Sequence, residues 1–154
     1  MRQIDVLLDQ YSNDHRNQTN QLIHLACVPA IVWSVTALLW AVPVPGTWLK
    51  PGAVSAFAMF LAWAYYWRLS RKLAMGLFVC FLASVLLNRW IATAFGMTML
   101  VTIAIGVFVA AWIGQFIGHK VEGRRPSFFT DLLFLLIGPL WTLRKLYQRL
   151  GIEY

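Results

Sequence analysis

The stretch from Tyr11 to Pro29, YSNDHRNQTNQLIHLACVP, brings a cluster of polar residues to the edge of a long apolar segment. Two of the three histidines of the chain, His15 and His24, lie in this stretch. The third, His119, lies far downstream in QFIGHKVEGRRP, where a carboxylate and two arginines follow it. We therefore expect the two stretches to meet and to form a site at a membrane surface.

Composition indicates an integral membrane protein. Of the 154 residues, 60% are apolar, 12% are charged and eight are tryptophan, which is unusual for a soluble protein. The length fits a single domain that covers residues 1–154. Basic residues outnumber acidic ones by 13 to 6, but they lie in short gaps between apolar segments rather than on one basic face. The expected partner is therefore the lipid bilayer and not nucleic acid.

The apolar segments predict an all-α, membrane-embedded helical bundle with four transmembrane helices. The predicted spans are residues 25–42, 52–67, 73–95 and 97–118. Gly96 is expected to allow a tight return between the last two spans. Apolar residues at helical spacing in residues 3–12 predict an N-terminal interfacial helix. Residues 128–149 are interrupted by Gly138 and Pro139 and predict a C-terminal interfacial or re-entrant helix pair.

The basic residues predict the orientation of the bundle. With four spans, eleven basic residues lie on the side of the termini and two, Lys50 and Arg89, lie on the other side. The eleven are Arg2, Arg16, Arg68, Arg71, Lys72, Lys120, Arg124, Arg125, Arg144, Lys145 and Arg149. A fifth span at 128–143 would make this division eight to five. Because basic residues concentrate in cytoplasmic segments, we expect four spans with both termini in the cytoplasm.

The same topology places His15, His24 and His119 on one membrane face, although it was derived from lysine and arginine alone. Asn17, Asn20 and His24 are spaced three and four residues apart and therefore share one side of a helix. His15 can join them only if the chain turns between the two histidines. The Asn and Asp residues around it favour such a turn.

These residue types are typical of a metal site. Glu122 follows His119 by three residues, so both side chains can face a common centre. Neutral imidazoles with one carboxylate suit non-haem Fe(II), and zinc accepts the same ligand types. Asn17 and Asn20 are interpreted either as helix caps or as donors that orient the imidazoles.

Two motifs resemble those of a known family, the 2-hydroxy fatty acid dioxygenases. They are HRNQTNQLIHLACVP at His15–Pro29 and WIGQFIGHKVEGRRP at Trp112–Pro126, with the patterns His-x-Asn-x-x-Asn-x-x-x-His and Gln-Phe-x-Gly-His. The similarity also covers the order of the spans and the closing apolar segment. The best-known members of this family are fungal enzymes of fatty acid α-oxidation in the endoplasmic reticulum. The compact chain suits a bacterial member, which would lie in the inner membrane.

The resemblance implies an Fe(II)-dependent enzyme that uses O2 to shorten a 2-hydroxy fatty acid by one carbon. Its metal ligands would be His15, His24 and His119. Glu122 is a candidate for a further ligand or an acid–base group, although the segment before Arg124 is one residue shorter than in the fungal members. Arg124 and Arg125 are candidates for binding the substrate carboxylate, and otherwise they are topology or lipid-headgroup residues.

Other functions remain open at this point. A non-catalytic small membrane carrier or lipid-organising protein would use the histidines as interfacial polar residues and would contain no metal. A haem-binding electron carrier needs axial histidines deep in the bundle, whereas the predicted spans contain no histidine. Homo-oligomerisation is compatible with every one of these functions.

Overall fold

The computed structural model describes residues 3–45, 50–123 and 133–153, and all regular structure in these ranges is α-helical. The predicted all-α fold class is therefore confirmed. The helices are α1 (Gln3–Asn13), α2 (Gln18–Trp40), α3 (Ala53–Leu69), α4 (Arg71–Phe95), α5 (Met97–Glu122) and α6 (Leu133–Arg149).

Helices α2, α4 and α5 are long and apolar enough to cross a membrane. They contain 23, 25 and 26 residues, whereas α3 contains 17. At about 1.5 Å per residue α3 is roughly 26 Å long, slightly less than a typical hydrocarbon core. Three of the four predicted spans thus have the required length and composition, and the crossing of α3 stays a prediction.

Short connections make neighbouring helices antiparallel. Gly96 is the single residue between α4 and α5, and its φ of 87° is a conformation that favours glycine. The predicted tight return at Gly96 is therefore confirmed. Ser70 separates α3 from α4, and its side chain caps α4 by accepting a hydrogen bond from the backbone N–H of Leu73.

Helices α2 and α5 form the most extensive pair among the described helices. Gly114 and Gly118 of α5 face α2 and form a Gly-x-x-x-Gly pattern. A Cβ atom at Gly114 would lie 2.7 Å from Cys27 Sγ, and one at Gly118 would collide with Asn20 Oδ1. Small residues let transmembrane helices approach closely. This close approach brings the end of α5 against the start of α2.

Helices α1 and α6 pack on each other at the end of the bundle where α2 begins. Ile4, Leu8 and Tyr11 of α1 are buried in the same apolar cluster as Leu140 and Trp141 of α6. An ion pair of 2.8 Å between Arg144 and Asp9 links the two helices at the surface. The predicted N-terminal helix is present, and its apolar side packs on protein.

The predicted C-terminal helix pair is wrong for the part that the structure describes, because α6 continues through Gly138 and Pro139 as one helix. Proline removes one backbone hydrogen bond. Burial of Ile137, Leu140 and Trp141 stabilises the helix on both sides of it. Residues 128–132 lie outside the described residues, as do Arg124 and Arg125.

Candidate metal centre

The three histidines come together where α2 begins and α5 ends. His15 lies in the turn before α2, His24 lies in α2, and His119 lies in the last turn of α5. All three side chains are buried, with exposures of 1%, 2% and 4% respectively. One ring nitrogen from each lies within 4.8 Å of the other two. This arrangement could hold a metal ion.

The turn before α2 explains how His15 reaches the other two. Helix α1 ends at Asn13, and Asn17 has an extended backbone conformation before α2 begins. The Asn17 side chain accepts hydrogen bonds from the backbone N–H groups of Thr19 and Asn20, so it is the N-cap of α2. The change of direction carries the His15 ring back over the first turns of α2, where it contacts His24 edge-on at 4.3 Å between centroids.

The ring geometry fits a metal better than it fits a set of packed polar side chains. His24 Nε2 and His119 Nε2 are 3.2 Å apart. Metal–imidazole distances of about 2.0–2.1 Å place neighbouring ligand atoms at similar separations. A hydrogen bond between the two imidazoles would account for that contact alone. It would leave His15 Nε2 buried without a partner among the described residues, which is costly, whereas a metal bound by all three rings would use that nitrogen.

Tyr11 supports two of the three imidazoles. Its backbone carbonyl oxygen accepts a hydrogen bond of 2.7 Å from His15 Nδ1, which leaves Nε2 as the nitrogen that can bind a metal. Its hydroxyl lies 3.5 Å from His24 Nδ1, and its ring stacks on His15 at 4.2 Å between centroids. Sequence analysis missed this residue, although its spacing of four residues from His15 is a usable signal.

Burial also sets the charge of the His15 ring. Desolvation lowers the pKa of His15, while the Tyr11 carbonyl and the charges of Asp14 and Glu122 partly oppose that shift. The imidazole is therefore neutral near neutral pH, which is the form that binds metals.

Glu122 binds the start of α2. One carboxylate oxygen accepts hydrogen bonds from the backbone N–H groups of Arg16 and Asn17 at 2.9 and 3.1 Å. The other oxygen accepts from Asn17 N–H and from Asn20 Nδ2, both at 2.9 Å. The carboxylate thus complements the positive end of the α2 dipole and fixes the turn that carries His15.

The predicted asparagines lie beside the histidine cluster and not on it. The Asn17 side chain caps α2, and the Asn20 side chain donates a hydrogen bond to Glu122. Their link to the imidazoles therefore runs through the backbone and through Glu122. Of the described residues that could support a metal, sequence analysis missed Tyr11 and Trp141.

Trp141 of α6 closes one side of the cluster. Its side chain is fully buried, and its ring centroid lies 5.6 Å from that of His15 and 6.2 Å from that of His24. Its Nε1–H donates a hydrogen bond of 2.9 Å to Ser12 Oγ. The indole therefore shields the cluster from water. Nothing in the local sequence of α6 points to this role, since 129 residues separate the two bonded partners.

The cluster opens into an apolar cavity of about 380 Å³ between the helices. Tyr11, His24 and His119 lie at one end of it. On α2 the lining residues are His24, Val28, Ile31, Val32, Val35, Thr36 and Leu39. From His24 to Leu39 this face covers 15 residue steps, or roughly 22 Å of helix. The cavity is therefore long and mostly apolar, and its polar side chains lie near its ends.

The helices that carry the histidines are longer than the predicted spans. Helices α2 and α5, both long and apolar enough to cross a membrane, contain His24 and His119 near their ends. The expectation that no histidine lies within a span stays a prediction. The added residues are polar ones such as Asn20 at the start of α2, which its spacing from His24 already predicts to be helical, and the final turn of α5.

These features define an all-helical membrane protein with a buried three-histidine cluster at the end of an apolar cavity. The chain belongs to the Mpo1-like family, described as 2-hydroxy-palmitic acid dioxygenase Mpo1-like, whose model matches residues 1–150. It is similar to the 2-hydroxy-palmitic acid dioxygenase MPO1 of Saccharomyces cerevisiae, with 28% identity over 144 residues. That match covers 92% of this chain and 78% of the yeast protein. The family resemblance is therefore confirmed, and no solved structure matches the chain.

Proposed function

We propose that this protein is an Fe(II)-dependent dioxygenase that shortens 2-hydroxy fatty acids by one carbon. The observation that carries the proposal is the burial of three mutually close imidazoles at the end of an apolar cavity. The names of its family and of the yeast relative support the substrate class.

The reaction needs only the acid and O2. A 2-hydroxy acid, R–CH(OH)–COOH, and one O2 give R–COOH, CO2 and H2O, with the bond between C1 and C2 broken. The acid loses four electrons, and O2 accepts them. Iron held by the three imidazoles would supply the activation of O2 and a site for the substrate oxygens.

The three histidines would hold the metal, and their surroundings would keep them in position. The Tyr11 carbonyl fixes the His15 ring, and Glu122 fixes the turn that carries it. We propose this positioning role for Glu122 in preference to direct ligation or acid–base chemistry, because both of its oxygens already accept hydrogen bonds. Trp141 and the bundle exclude bulk water from the reacting groups.

The acyl chain would lie in the cavity. The cavity is roughly 22 Å long along α2. It is therefore longer than one leaflet is thick, since a leaflet is about half of a hydrocarbon core of about 30 Å. A chain as long as those of membrane lipids therefore fits with its carboxyl end at the histidines. Its volume of about 380 Å³ lies in the range of small-molecule sites.

The two arginines after α5 are proposed to bind the substrate carboxylate. Arg124 and Arg125 follow His119 by five and six residues and lie outside the described residues. Guanidinium forms two parallel hydrogen bonds with a carboxylate, and ammonium does not. Replacing the arginine that binds the carboxylate by lysine is therefore expected to weaken turnover and to leave the metal content unchanged. If neither replacement affects turnover, both arginines are topology residues.

We also propose that α3 spans the membrane and that both termini are cytoplasmic. Helix α3 starts beside the end of α2, where Gly52 N–H bonds to the Trp40 carbonyl, and it ends beside α6, where Tyr66 OH bonds to the Leu136 carbonyl. It thus runs the length of the cavity. Cysteines that replace Lys72 and Glu153 should resist an impermeant reagent in sealed cells, while one that replaces Thr47 reacts. The reverse pattern would contradict this orientation.

The function is tested on protein purified in detergent without oxygen. We expect about one iron per chain, uptake of O2 on addition of 2-hydroxypalmitic acid, and a product one carbon shorter. Palmitic acid is the matched control substrate and should give no O2 uptake. Protein without any metal would favour the non-catalytic carrier, and an equivalent of zinc without O2 uptake would exclude the dioxygenase.

A further inference from the structure

Gln115 is a buried amide at the histidine end of the cavity. It lies on α5 four residues before His119, and both side chains line the cavity. The Gln115 side chain is 4% exposed, and its Nε2 has no hydrogen-bond partner among the described residues. A buried donor without a partner destabilises a protein, so this amide calls for a ligand that completes it.

Two other polar side chains that line the cavity differ from Gln115, because each has a hydrogen-bond partner within the bundle. Tyr66 OH donates to the Leu136 carbonyl, and Thr36 Oγ1 donates to the Trp33 carbonyl. An amide can also serve only to join helices, as Asn88 does by donating to Thr36 Oγ1. The Gln115 donor makes no such contact with the described part of the chain.

The position of Gln115 on α5 indicates which part of a bound fatty acid it would contact. It lies one helical turn, about 6 Å, further into the bundle than His119. Phe108 and Trp112 continue the same face of α5 and line the cavity beyond it. An acid with its carboxyl end at the histidines and its chain in the apolar part therefore passes Gln115 with the carbons nearest its carboxyl group, C2 among them.

We propose that the side-chain amide of Gln115 binds the 2-hydroxyl of the substrate and distinguishes a 2-hydroxy fatty acid from an unsubstituted one. This inference rests on the proposed function. A primary amide both donates and accepts hydrogen bonds, and a hydroxyl does the same, so the two groups are complementary. An unsubstituted acid leaves the buried amide unpaired, and sites of that kind discriminate strongly against the analogue that lacks the polar group.

The test compares the binding of palmitic acid and 2-hydroxypalmitic acid to metal-free protein by calorimetric titration. The variant is Gln115→Met, which keeps the length of the side chain and removes the amide. Gln115→Asn is the milder second variant, and Gln148→Met, at an exposed position on α6, is the control. Loading each variant with iron and measuring its metal content checks the fold of the histidine end.

We expect wild-type protein and Gln148→Met to prefer the 2-hydroxy acid. In Gln115→Met this preference should fall by about tenfold to a hundredfold, as expected for loss of one buried hydrogen bond, with palmitic acid affinity and iron content unchanged. An unchanged preference in both Gln115 variants would overturn the inference and leave the proposed function standing. Equal binding of both acids by the wild type would also overturn it, and the turnover assay then judges the proposed function separately.

Discussion

The two ends of the bundle use buried polar groups differently. At the far end, Ser55 donates to the Thr36 carbonyl, and Asn88 donates to Thr36 Oγ1, so side chains of three helices join each other. At the histidine end, His15 Nε2, His119 Nδ1 and Gln115 Nε2 are buried without a described partner. Towards the far end, Asn88 Oδ1 and Trp33 Nε1 are also unpaired, but they are single atoms of separate side chains and not a cluster.

The difference separates structural from functional polar groups. Hydrogen bonds between helices in a membrane stabilise the bundle modestly, and the far end follows that pattern. Unpaired nitrogens in the histidine cluster and in the cavity beside it contribute no such stabilisation. We therefore interpret the histidine end as built for a ligand, at some cost in stability.

The sharpest way to break this comparison is to remove one imidazole. His15→Ala, His24→Ala and His119→Ala should each lose nearly all bound metal and turnover. The effect should exceed the loss of about tenfold to a hundredfold that follows removal of a group supporting a ligand. Metal analysis after anaerobic purification measures it. A full equivalent of iron or zinc in all three variants would place the metal elsewhere.

The next largest effect is expected at the contact between α2 and α5. In Gly118→Ala the new Cβ collides with Asn20 Oδ1, so the Asn20 side chain, which donates a hydrogen bond to Glu122, must shift. Overpacking of this kind costs about 1–3 kcal/mol. We expect a lower unfolding temperature in detergent and weaker metal binding. Gly106→Ala on the same helix is the control, because its Cβ meets nothing within 4 Å.

The Glu122→Gln variant tests whether this carboxylate binds the metal directly or holds the turn that carries His15. The variant keeps the shape of the side chain but removes its negative charge and one of the two oxygens that accept the four hydrogen bonds at the start of α2. We expect about a tenfold weaker metal affinity, measured by competition with a chelator, because the turn carrying His15 loosens. Glu153→Gln, at an exposed position, should have no effect. A loss as large as that of a histidine variant would make Glu122 a ligand.

The smallest effect is expected at the far end. Asn88→Ala removes the hydrogen bond to Thr36 and should cost about 0.6 kcal/mol, the mean for such bonds in a membrane bundle. Thermal unfolding in detergent should show this small loss with metal content and turnover unchanged. A loss of metal in this variant would contradict the division of the bundle into two functional ends.

The parts of the fold that follow from lipid chemistry were predictable from the sequence. A membrane forces each spanning segment to satisfy its own backbone hydrogen bonds, so long apolar segments predict helices α2, α4 and α5. The convergence of the three histidines was also accessible, because topology alone places them on one membrane face. Helix bounds were less accessible, since polar residues such as Asn20 extend α2 beyond its apolar part.

The features that could not be predicted from the sequence depend on contacts between segments that are far apart in the chain. Trp141 reaches the histidines only because α6 packs on α1, and no periodicity in either helix specifies that pairing. The spacing of His119 and Glu122 shows that they share a side of α5, but not that the carboxylate binds the start of α2. The Gly-x-x-x-Gly pattern at Gly114 and Gly118 was a readable signal for the α2–α5 contact.

The separation of His24 and His119 by 95 residues also sets an order of assembly during synthesis. Helix α2 enters the membrane first, with Asn20 and His24 near its start and without their partners on α5. At about 5–20 residues per second, α5 follows roughly 5–20 seconds later. A chain that stops before α5 lacks one of the three imidazoles. Metal binding by the complete cluster can therefore follow only after α5 has been inserted.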